Sequence, residues 1–426
     1  MLEGSVRLMS EQFGQIRSLM LRAKRAAAKA AASSGAVRND FLNNLARLAQ
    51  LGAPEIKQAN DLDMEEGRKS GLGEAILDRL LLSGARISSL VHGLADCAAL
   101  PDPLGEVESL KVLKSGLKVG RRRVSLGLIG FICEARPGAV VEAAAMAVKS
   151  GNALIAKPGR DSSRTSLVLG RIIHNALIES KLSPDTVTVN PSFSQEELVF
   201  ILGQSDILDL VIPRGGESLI RFVDEHSRVP VLRHYKGVNH LFVDEGADLG
   251  MALDLTENGK CDRPSTCNAL ECLLVHQAAA AAFIPKMAEA LDANGVTVLG
   301  DPESAALSPL IGKAEEGDYG REFLDLILAV KVVSGLTEAL EHIERYGSNH
   351  TEAICTRSLD SAQKFLSLVD ASCVLVNAST RLNDGGCLGL GAEIGISTSK
   401  IHAYGPMGLK ELTTTKFVVI GDGHLR

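Results

Sequence analysis

The sequence predicts an α/β fold in which short, mostly parallel strands alternate with helices in two blocks. The first block runs from Ser125 to Leu232, and the second follows Cys267. Alternation at this spacing is typical of βαβ units, which place their strands parallel in one sheet. The sequence contains neither an internal repeat nor a low-complexity linker. We therefore expect two interleaved domains around a cleft.

Composition narrows the classes of function. The 426 residues predict two to three domains, since a domain averages roughly 150 residues. With 45% hydrophobic and 23% charged residues, the chain has enough apolar side chains for a large core. A formal net charge of −7 argues against a general nucleic-acid binder, and the absence of Trp argues against base-stacking platforms.

The sequence also bears on location. It contains no uncharged apolar run of about 18 residues, so no transmembrane helix and no membrane partner are expected. The segment MLEGSVRLMSEQFGQ has no apolar core of the length that a secretory signal needs. The 8 cysteines include no CxxC pair, which argues against a disulfide framework and favours a reducing cytoplasm.

Local sequence patterns predict the helices and strands along the chain. Residues 10–118 are predicted to be helix-rich, with a long helix over 12–33 and a loop or helix end over 61–71. Alternating apolar and polar side chains predict a hairpin of exposed strands over 105–124. Apolar runs predict strands at 126–133, 152–156, 186–190, 207–212, 229–232, 272–275, 326–333, 353–355, 373–376 and 413–420. Amphipathic segments predict helices at 140–150, 162–180, 194–203 and 216–225.

A nucleotide site is predicted at the carboxyl ends of the first block's strands, where helix N-termini present free N–H groups to phosphates. No GxGxxG follows a strand there, but two other glycine-bearing turns do, Lys157-Pro158-Gly159 and Arg214-Gly215-Gly216. Bare backbone allows a phosphate to approach closely, and Lys157 and Arg214 supply positive charge. A plain structural turn is the alternative interpretation of each.

Cys267 is the candidate nucleophile. It lies in the segment RPSTCNALE (263–271), among small polar residues and ahead of an apolar strand. A positive field or a helix N-terminus lowers the pKa of a cysteine, and the thiolate is the reactive form. The alternative is an inert buried thiol. Cys261 and Cys272 are competing thiols, and their spacing from Cys267 is too irregular for a zinc knuckle, so no metal site is expected.

A third cluster, NASTRLNDGG (377–386), follows a predicted buried strand. It combines hydrogen-bond donors with flexible backbone, as substrate-binding loops do. We therefore expect this segment to contact a substrate.

These clusters belong to a longer series of strings: GLIGFICEARPG (127–138), AAAMAVKSGNALIAKPG (143–159), VIPRGG (211–216), RPSTCNALE (263–271), EFLDLILAVKVV (322–333), NHTEAICT (349–356), VNASTRLNDGG (376–386), GLGAEIGIST (389–398) and GPMGLKELTT (405–414). From about Met9 onward the chain resembles the gamma-glutamyl phosphate reductase family of the aldehyde dehydrogenase superfamily. So many matches in one order are far more specific than any single motif.

The resemblance implies an aldehyde-dehydrogenase-like fold. A Rossmann-like cofactor domain would cover 1–255, a catalytic domain 256–398, and a return to the cofactor domain 399–426. The hairpin at 105–124 and the last strand would form an oligomerisation flap, which implies a homodimer or homotetramer. The implied reaction is the NADPH-dependent reduction of L-glutamyl 5-phosphate to L-glutamate 5-semialdehyde with release of phosphate, the second step of L-proline biosynthesis. Functional coupling to a glutamate 5-kinase is implied as well, and the chain has no spare length for that kinase.

By the same resemblance Cys267 is the catalytic thiol, Lys157 contacts the cofactor ribose and Glu322 contacts the ribose on the nicotinamide side. The sequence departs from the superfamily in three places. Residues 134–138 lack its oxyanion-hole Asn, which leaves Arg136 or the Cys267 backbone N–H as the donor. Residues 232–237 lack the glutamate that activates water in hydrolytic members. The Lys157-Pro158 pair is similar to general dehydrogenases and differs from the Arg-Gly common in this family, so NADH is the alternative to the NADPH that the resemblance implies.

The implied substrate carries a phosphate, a carboxylate and an ammonium group. The residues expected to bind it are Arg136, His234 and Arg381 for the anionic groups, Glu134, Glu142 or Asp384 for the ammonium, and Asn377 and Ser379 in the third cluster. For Arg381 and His234, hydrogen bonding within a loop or at the core edge is the alternative.

Two other functions stay open. The first is another enzyme of the superfamily, either hydrolytic or CoA-acylating. The missing water-activating base argues against hydrolysis, because a thioester that water does not attack persists until hydride arrives. The second is a non-catalytic relative that keeps the fold. The intact Cys267, Lys157 and Glu322 argue against it.

Overall fold

Parallel strands with helical connections form the frame of two units in the computed structural model, which describes residues 2–233 and 235–426, with side chains for 10–74, 76–233 and 235–426. Unit 1 consists of Met1–Arg233, Leu390–Gly395 and Met407–Arg426. Unit 2 consists of His234–Gly389 and Ile396–Pro406. The α/β fold class predicted from the sequence is confirmed.

The helices of the described residues are α1 Leu2–Ala32, α2 Gly35–Leu51, α3 Ala53–Lys69, α4 Glu74–Leu80, α5 Gly84–Ala99, α6 Pro137–Lys149, α7 Ser163–Glu179, α8 Gln195–Leu202, α9 Glu217–His226, α10 Leu249–Cys261, α11 Gln277–Ala293, α12 Pro302–Leu307, α13 Leu336–Tyr346 and α14 Leu359–Leu368. No described helix has both the length and the apolar character that crossing a membrane requires.

The strands are β1 Val107–Val112, β2 Lys118–Ser125, β3 Leu128–Cys133, β4 Ala153–Lys157, β5 Val187–Val189, β6 Leu210–Arg214, β7 Asn239–Val243, β8 Leu270–His276, β9 Thr297–Gly300, β10 Ile311–Lys313, β11 Ile327–Val333, β12 Thr351–Cys355, β13 Cys373–Val376, β14 Ile396–Ser397, β15 Gly405–Pro406 and β16 Thr413–Ile420.

The main sheet of unit 1 has the parallel strand order β5-β4-β3-β6. Every residue of β3 is buried, as expected for a central strand that helices cover on both faces. Near the carboxyl ends, Ile132 of β3 pairs with Lys157 of β4, and Cys133 pairs with Arg214 of β6. This register brings the two predicted glycine-bearing turns to one edge of the sheet.

The charged segment 61–71 is helical for most of its length, because α3 continues to Lys69. Its Asp63 is buried and accepts hydrogen bonds from the backbone N–H and the hydroxyl of Thr165 in α7. The expected loop is therefore confined to the residues after Lys69, and the charges of 61–69 lie mainly on the exposed face of a packed helix.

A separate three-stranded antiparallel sheet in unit 1 has the order β1-β2-β16. It contains the predicted hairpin and the predicted last strand. Several of its apolar side chains are exposed, including Val112 and Phe417, each 69% exposed. We call these three strands the flap.

Unit 2 contains a seven-stranded parallel sheet with the order β10-β9-β11-β8-β7-β12-β13. Strand β7 was not expected from the sequence. It pairs with β8 and β12, so the first segment of unit 1 ends at Arg233 and not at the expected residue 255. The strand expected at 229–232 is a single bridge between Val231 and Val211.

Candidate active site

In unit 1, the turn after β3 carries Glu134, whose carboxylate binds the turn after β6. Its Oε2 accepts a hydrogen bond from the Gly216 backbone N–H at 2.8 Å, at the N-terminus of α9. A Cβ on Gly215 would lie 2.4 Å from the same oxygen. The Glu134 carboxylate thus occupies the backbone recess at this glycine pair, which fits the alternative of a structural turn. A phosphate bound to the Gly216 N–H would take the place of that carboxylate.

The turn after β4 lies against the turn after β3. A Cβ on Gly159 would be 3.0 Å from the backbone N of Ala135, so only glycine lets the two turns pass this closely. Lys157 is half-buried at the end of β4. Burial and the neighbouring Arg160 lower the pKa of its ammonium, while Cys133 and Glu134 oppose that shift.

Arg136 precedes α6, and Pro137 occupies the first turn of that helix. Pro137 suits this position because its fixed φ matches a helix start and its missing N–H costs nothing there. On α6, the Glu142 carboxylate interacts electrostatically with Arg214 and Arg136. Unit 1 therefore groups the predicted Glu134, Arg136 and Arg214 at the same sheet edge.

In unit 2, Cys267 is half-buried on the loop between α10 and β8. The turn before β7 passes very close to it, because a Cβ on Gly237 would lie 2.0 Å from the Cys267 carbonyl oxygen. The buried Asn239 amide donates to the carbonyl oxygens of Cys267 at 2.8 Å and Ala269 at 2.6 Å. His350 Nδ1 lies 3.1 Å from the Asn239 Oδ1 and orients the amide.

Arg381 holds the other side of the cysteine loop, residues 262–269. Its guanidinium donates to Asp262 at 3.0 Å, to the Thr266 hydroxyl at 2.9 Å and to the Asn268 side chain. Asn268 in turn donates to the carbonyl oxygens of Arg381 and Asn383. The structure thus supports the alternative interpretation of Arg381, hydrogen bonding within a loop.

Glu322 lies beside the same loop. Its carboxylate accepts a hydrogen bond from the Gly237 backbone N–H at 2.9 Å. Two residues later, the Leu324 N–H donates to Glu271, which forms a fully buried ion pair with Lys260 at 2.7 Å. Burial raises the pKa of Glu271 to about 7, although Lys260 opposes the shift. The pair therefore helps to fix the segment that carries Glu322.

The other predicted substrate residues mostly bond within their own turns. Asn377 pairs both ends of its side chain with the Thr356 backbone at the end of β12. Ser379 accepts from the Arg381 N–H, and Asp384 accepts from the Gly386 N–H. His234, also predicted to bind substrate, lies outside the described residues.

Sequence reasoning missed Asn239 and Gly237. Their signal is a glycine placed shortly before a polar pair, Asn239-His240, that opens a short apolar run. Because β7 was not expected there, nothing marked Asn239 as buried. The role of the Asn239 amide in holding the cysteine loop is therefore evident only once strand β7 is placed in the sheet.

Burial makes five of the other thiols poor nucleophiles. Burial raises the pKa of Cys133 to about 12, and that of Cys97, Cys355 and Cys373 to about 11. Burial also raises the pKa of Cys261, one of the two competing thiols. A thiol that keeps its proton is a poor nucleophile.

The chain is similar to known proteins in both sequence and fold. Residues 7–321 match the aldehyde dehydrogenase family. A gamma-glutamyl phosphate reductase from Sorangium cellulosum is 50% identical over 418 residues, 97% of this chain and 98% of that protein. One from Thermus thermophilus is 53% identical over 389 residues, 91% of this chain and 94% of that protein. The crystal structure of the Thermotoga maritima gamma-glutamyl phosphate reductase matches with a TM-score of 0.93 and 40% identity, covering 96% of this chain and 99% of that one.

Proposed function

The chain belongs to the aldehyde dehydrogenase family, and we propose that it reduces L-glutamyl 5-phosphate to L-glutamate 5-semialdehyde with release of phosphate, in L-proline biosynthesis. One observation carries the proposal. Cys267 is a half-buried thiol on a loop that Asn239 and Arg381 hold from two sides. It occurs in a chain that is 50% identical, over 97% of its length, to a gamma-glutamyl phosphate reductase.

The family uses a nicotinamide nucleotide, and unit 1 fits one. The Gly216 N–H already binds a carboxylate oxygen, and the recess at Gly215 has no room for a side chain. We propose that Gly215 and Gly216 bind the cofactor phosphates, with Arg214, Lys157, Pro158 and Gly159 beside them, and that Glu322 binds the nicotinamide-side ribose. NADPH is the proposed form, since Lys157 and Arg214 supply positive charge for an additional phosphate.

In the proposed mechanism, the Cys267 thiolate attacks the acyl carbon of the substrate. The C–O bond to phosphate breaks, phosphate leaves with the electron pair, and a cysteinyl thioester remains. A bound nicotinamide nucleotide supplies the hydride that reduces this thioester. The C–S bond then breaks, the aldehyde forms and the thiolate is restored.

The residues around the thiol have positioning roles in this scheme. Asn239 and Arg381 keep the cysteine loop in one conformation, which prevents loss of the attack geometry. Either Arg136 or the Cys267 backbone N–H is the proposed oxyanion donor, and such a donor contributes about 3–4 kcal/mol in sites of this kind. Residues 235–238 contribute no carboxylate that would activate water against the thioester.

The proposal also covers the cellular location, the oligomeric state and a partner enzyme. A reactive thiol needs a reducing compartment, and none of the 8 cysteines forms a disulfide, so we propose a cytoplasmic location. The flap exposes apolar side chains on strands with free edges, so we propose that it joins protomers in a homodimer or homotetramer. Coupling to a glutamate 5-kinase is part of the proposal, since that class of enzyme makes the acyl phosphate.

The reverse reaction tests the function, because acyl phosphates are unstable. The purified enzyme is given the glutamate semialdehyde and pyrroline carboxylate mixture with NADP, with and without inorganic phosphate, and nucleotide reduction is followed. We expect reduction that requires phosphate. The Cys267→Ala variant serves as the control and is expected to bind nucleotide without turnover.

The other outcomes separate the alternatives. Turnover without phosphate would indicate a hydrolytic dehydrogenase, and turnover that needs CoA would indicate an acylating one. Absence of turnover with either NADP or NAD would favour a non-catalytic relative. Substantial turnover by Cys267→Ala would show that another group is the nucleophile.

A further inference from the structure

Three strands of unit 2 place polar side chains side by side in its core. Glu352 of β12 pairs with His240 of β7, and His240 pairs with Cys272 of β8. Laterally paired residues share one face of a sheet. His342 of α13 packs on that face, with its ring 5.5 Å from the His240 ring. All four side chains are buried, at 4% exposure or less.

The donors in this cluster converge. The Cys272 Sγ and one ring nitrogen of each histidine lie within 4.8 Å of one another. The Sγ is 3.6 Å from the His342 Nε2. For tetrahedral zinc, bond lengths near 2.3 Å to sulfur and 2.05 Å to nitrogen place those two atoms about 3.5 Å apart. The observed separation therefore suits two ligands of one ion.

A second observation points to an ion. The His240 Nε2 is buried and has no well-aligned hydrogen-bond partner among the described residues. The polar contacts of the ring are the Cys272 thiol and, through Nδ1 at 2.9 Å, the Glu352 carboxylate. Orphaned polar atoms in a core are rare and call for an unseen partner. A carboxylate on one nitrogen of a histidine, with the other nitrogen left for a metal, is the usual arrangement around zinc.

We propose that His240, Cys272 and His342 bind a zinc ion in the core of unit 2, as three protein ligands that leave the fourth tetrahedral position to a water. The charges balance, because the ion's two positive charges meet a Cys272 thiolate and the Glu352 carboxylate, and both histidines stay neutral. The ion would tie α13 to β7 and β8. This site uses none of the residues assigned to catalysis, and it departs from the expectation that the chain holds no metal.

Cobalt gives a direct test on the full-length enzyme. The site is buried, so the metal is supplied during folding, by refolding from urea in chelator-treated buffer with Zn²⁺, with Co²⁺ or without metal. We expect about one ion per chain after desalting and a higher thermal midpoint with Zn²⁺ than without metal. The Co²⁺ protein is expected to show a thiolate-to-cobalt charge-transfer band and intense visible bands of tetrahedral cobalt.

Variants assign the ligands. Cys272→Ser is expected to lose the charge-transfer band and most of the bound metal, whereas Cys355→Ser, which changes another buried thiol of the same sheet, is expected to keep both. If Cys272→Ser does not fold, His342→Gln takes its place. Wild-type protein with far less than one ion per chain, or the same thermal midpoint with and without Zn²⁺, would overturn the proposal.

Discussion

Asn239 places one amide between two backbone carbonyls of the cysteine loop. That amide is buried, and its donors serve the oxygens of Cys267 and Ala269. Arg381 binds the same loop through Thr266. The residues most directly tied to the thiol segment are therefore hydrogen-bonding groups rather than other reactive side chains. The position of the cysteine loop in the candidate site therefore depends on these hydrogen bonds.

The Asn239→Ala substitution is the first prediction. It leaves two carbonyl oxygens unpaired and frees the loop, so we expect kcat to fall about 10- to 100-fold while the affinity for nicotinamide nucleotide stays unchanged. Steady-state kinetics and nucleotide titration measure both. A second readout is the alkylation rate of Cys267, followed by peptide mass spectrometry, which should change because the thiol is no longer held in one environment.

Asn60→Ala is the matched control for that experiment. Asn60 is also buried and also bonds backbone groups, those of Leu80 and Leu82 in unit 1. Loss of a buried amide there should lower stability without changing the alkylation of Cys267. Equal effects of the two substitutions on kcat and alkylation would contradict a positioning role for Asn239.

The second prediction concerns the charge of Lys157 and the affinity for NADPH. Because burial lowers the pKa of its ammonium, the side chain loses its charge at a lower pH than an ordinary lysine does. If Lys157 binds the cofactor, NADPH affinity should weaken as pH rises through that lowered pKa. Isothermal titration across alkaline pH measures the effect. Lys157→Gln should bind weakly with little pH dependence, and Lys157→Arg, which stays charged, should also remove the alkaline loss. An unchanged profile in both variants would exclude Lys157 from this role.

At the scale of elements, the Lys260–Glu271 pair joins α10 to β8 with both side chains fully buried. Lys260→Met should destabilise unit 2 by about 3–5 kcal/mol at pH values well above the Glu271 pKa, because it leaves a buried carboxylate unpaired there. Urea unfolding measures this loss. The double variant Lys260→Met/Glu271→Gln should regain most of it, since Gln keeps an acceptor for the Leu324 N–H.

The pH dependence of the same variant follows from the Glu271 pKa. Burial raises that pKa from its ordinary 4.5 to about 7 in the wild type, and the loss of Lys260, which opposes the shift, raises it further, so the folded state holds a proton that the unfolded state releases. Stability from this group is therefore greatest below pH 4.5 and falls as pH rises through the folded value. The cost of Lys260→Met should shrink in acid. A cost independent of pH would mean that Glu271 does not titrate in this way.

Elements with a clean local pattern could be predicted from sequence. Strand β3 is apolar throughout and buried throughout, and β16 occupies the residues expected for it. Strand β7 could not be predicted, because it is short and begins with the polar residues Asn239 and His240, whose hydrogen-bond partners include Ala269 and Glu352. Those partners are far away in sequence, and no local period encodes them.

The same distinction holds for the candidate site. The segment around Cys267 stood out because its residue types suit a nucleophile, and the family resemblance is confirmed. The partners of Arg381 did not stand out, because Asp262, Thr266 and Asn268 are more than a hundred positions away. A charged residue in a polar loop has the same local pattern whether it binds substrate or braces a neighbouring loop.

At the scale of the whole molecule, the flap is the feature whose exposed apolar side chains are least explained by contacts within one chain. Strands β1 and β16 are its edges, and Val112, Phe417 and Val419 stay exposed on them. Exposed edges with apolar side chains favour pairing with another chain. If the flap joins protomers, its surface should be covered in solution.

Phe417→Glu provides the test. Phe417 lies opposite Arg121 on β2, with the guanidinium 5.1 Å from its ring centre, so a glutamate there gains an opposite charge across the strands. The flap of one protomer should therefore keep its stability, while a buried interface would now have to cover a charge. We expect sedimentation velocity to show a shift to smaller species, with an unchanged thermal midpoint for each protomer at concentrations where both proteins are monomeric.

Leu359→Glu, at a 74% exposed helix position of unit 2, is the control and should sediment as the wild type does. Identical sedimentation of Phe417→Glu and wild type would mean that protomers, if they associate, do so through another surface.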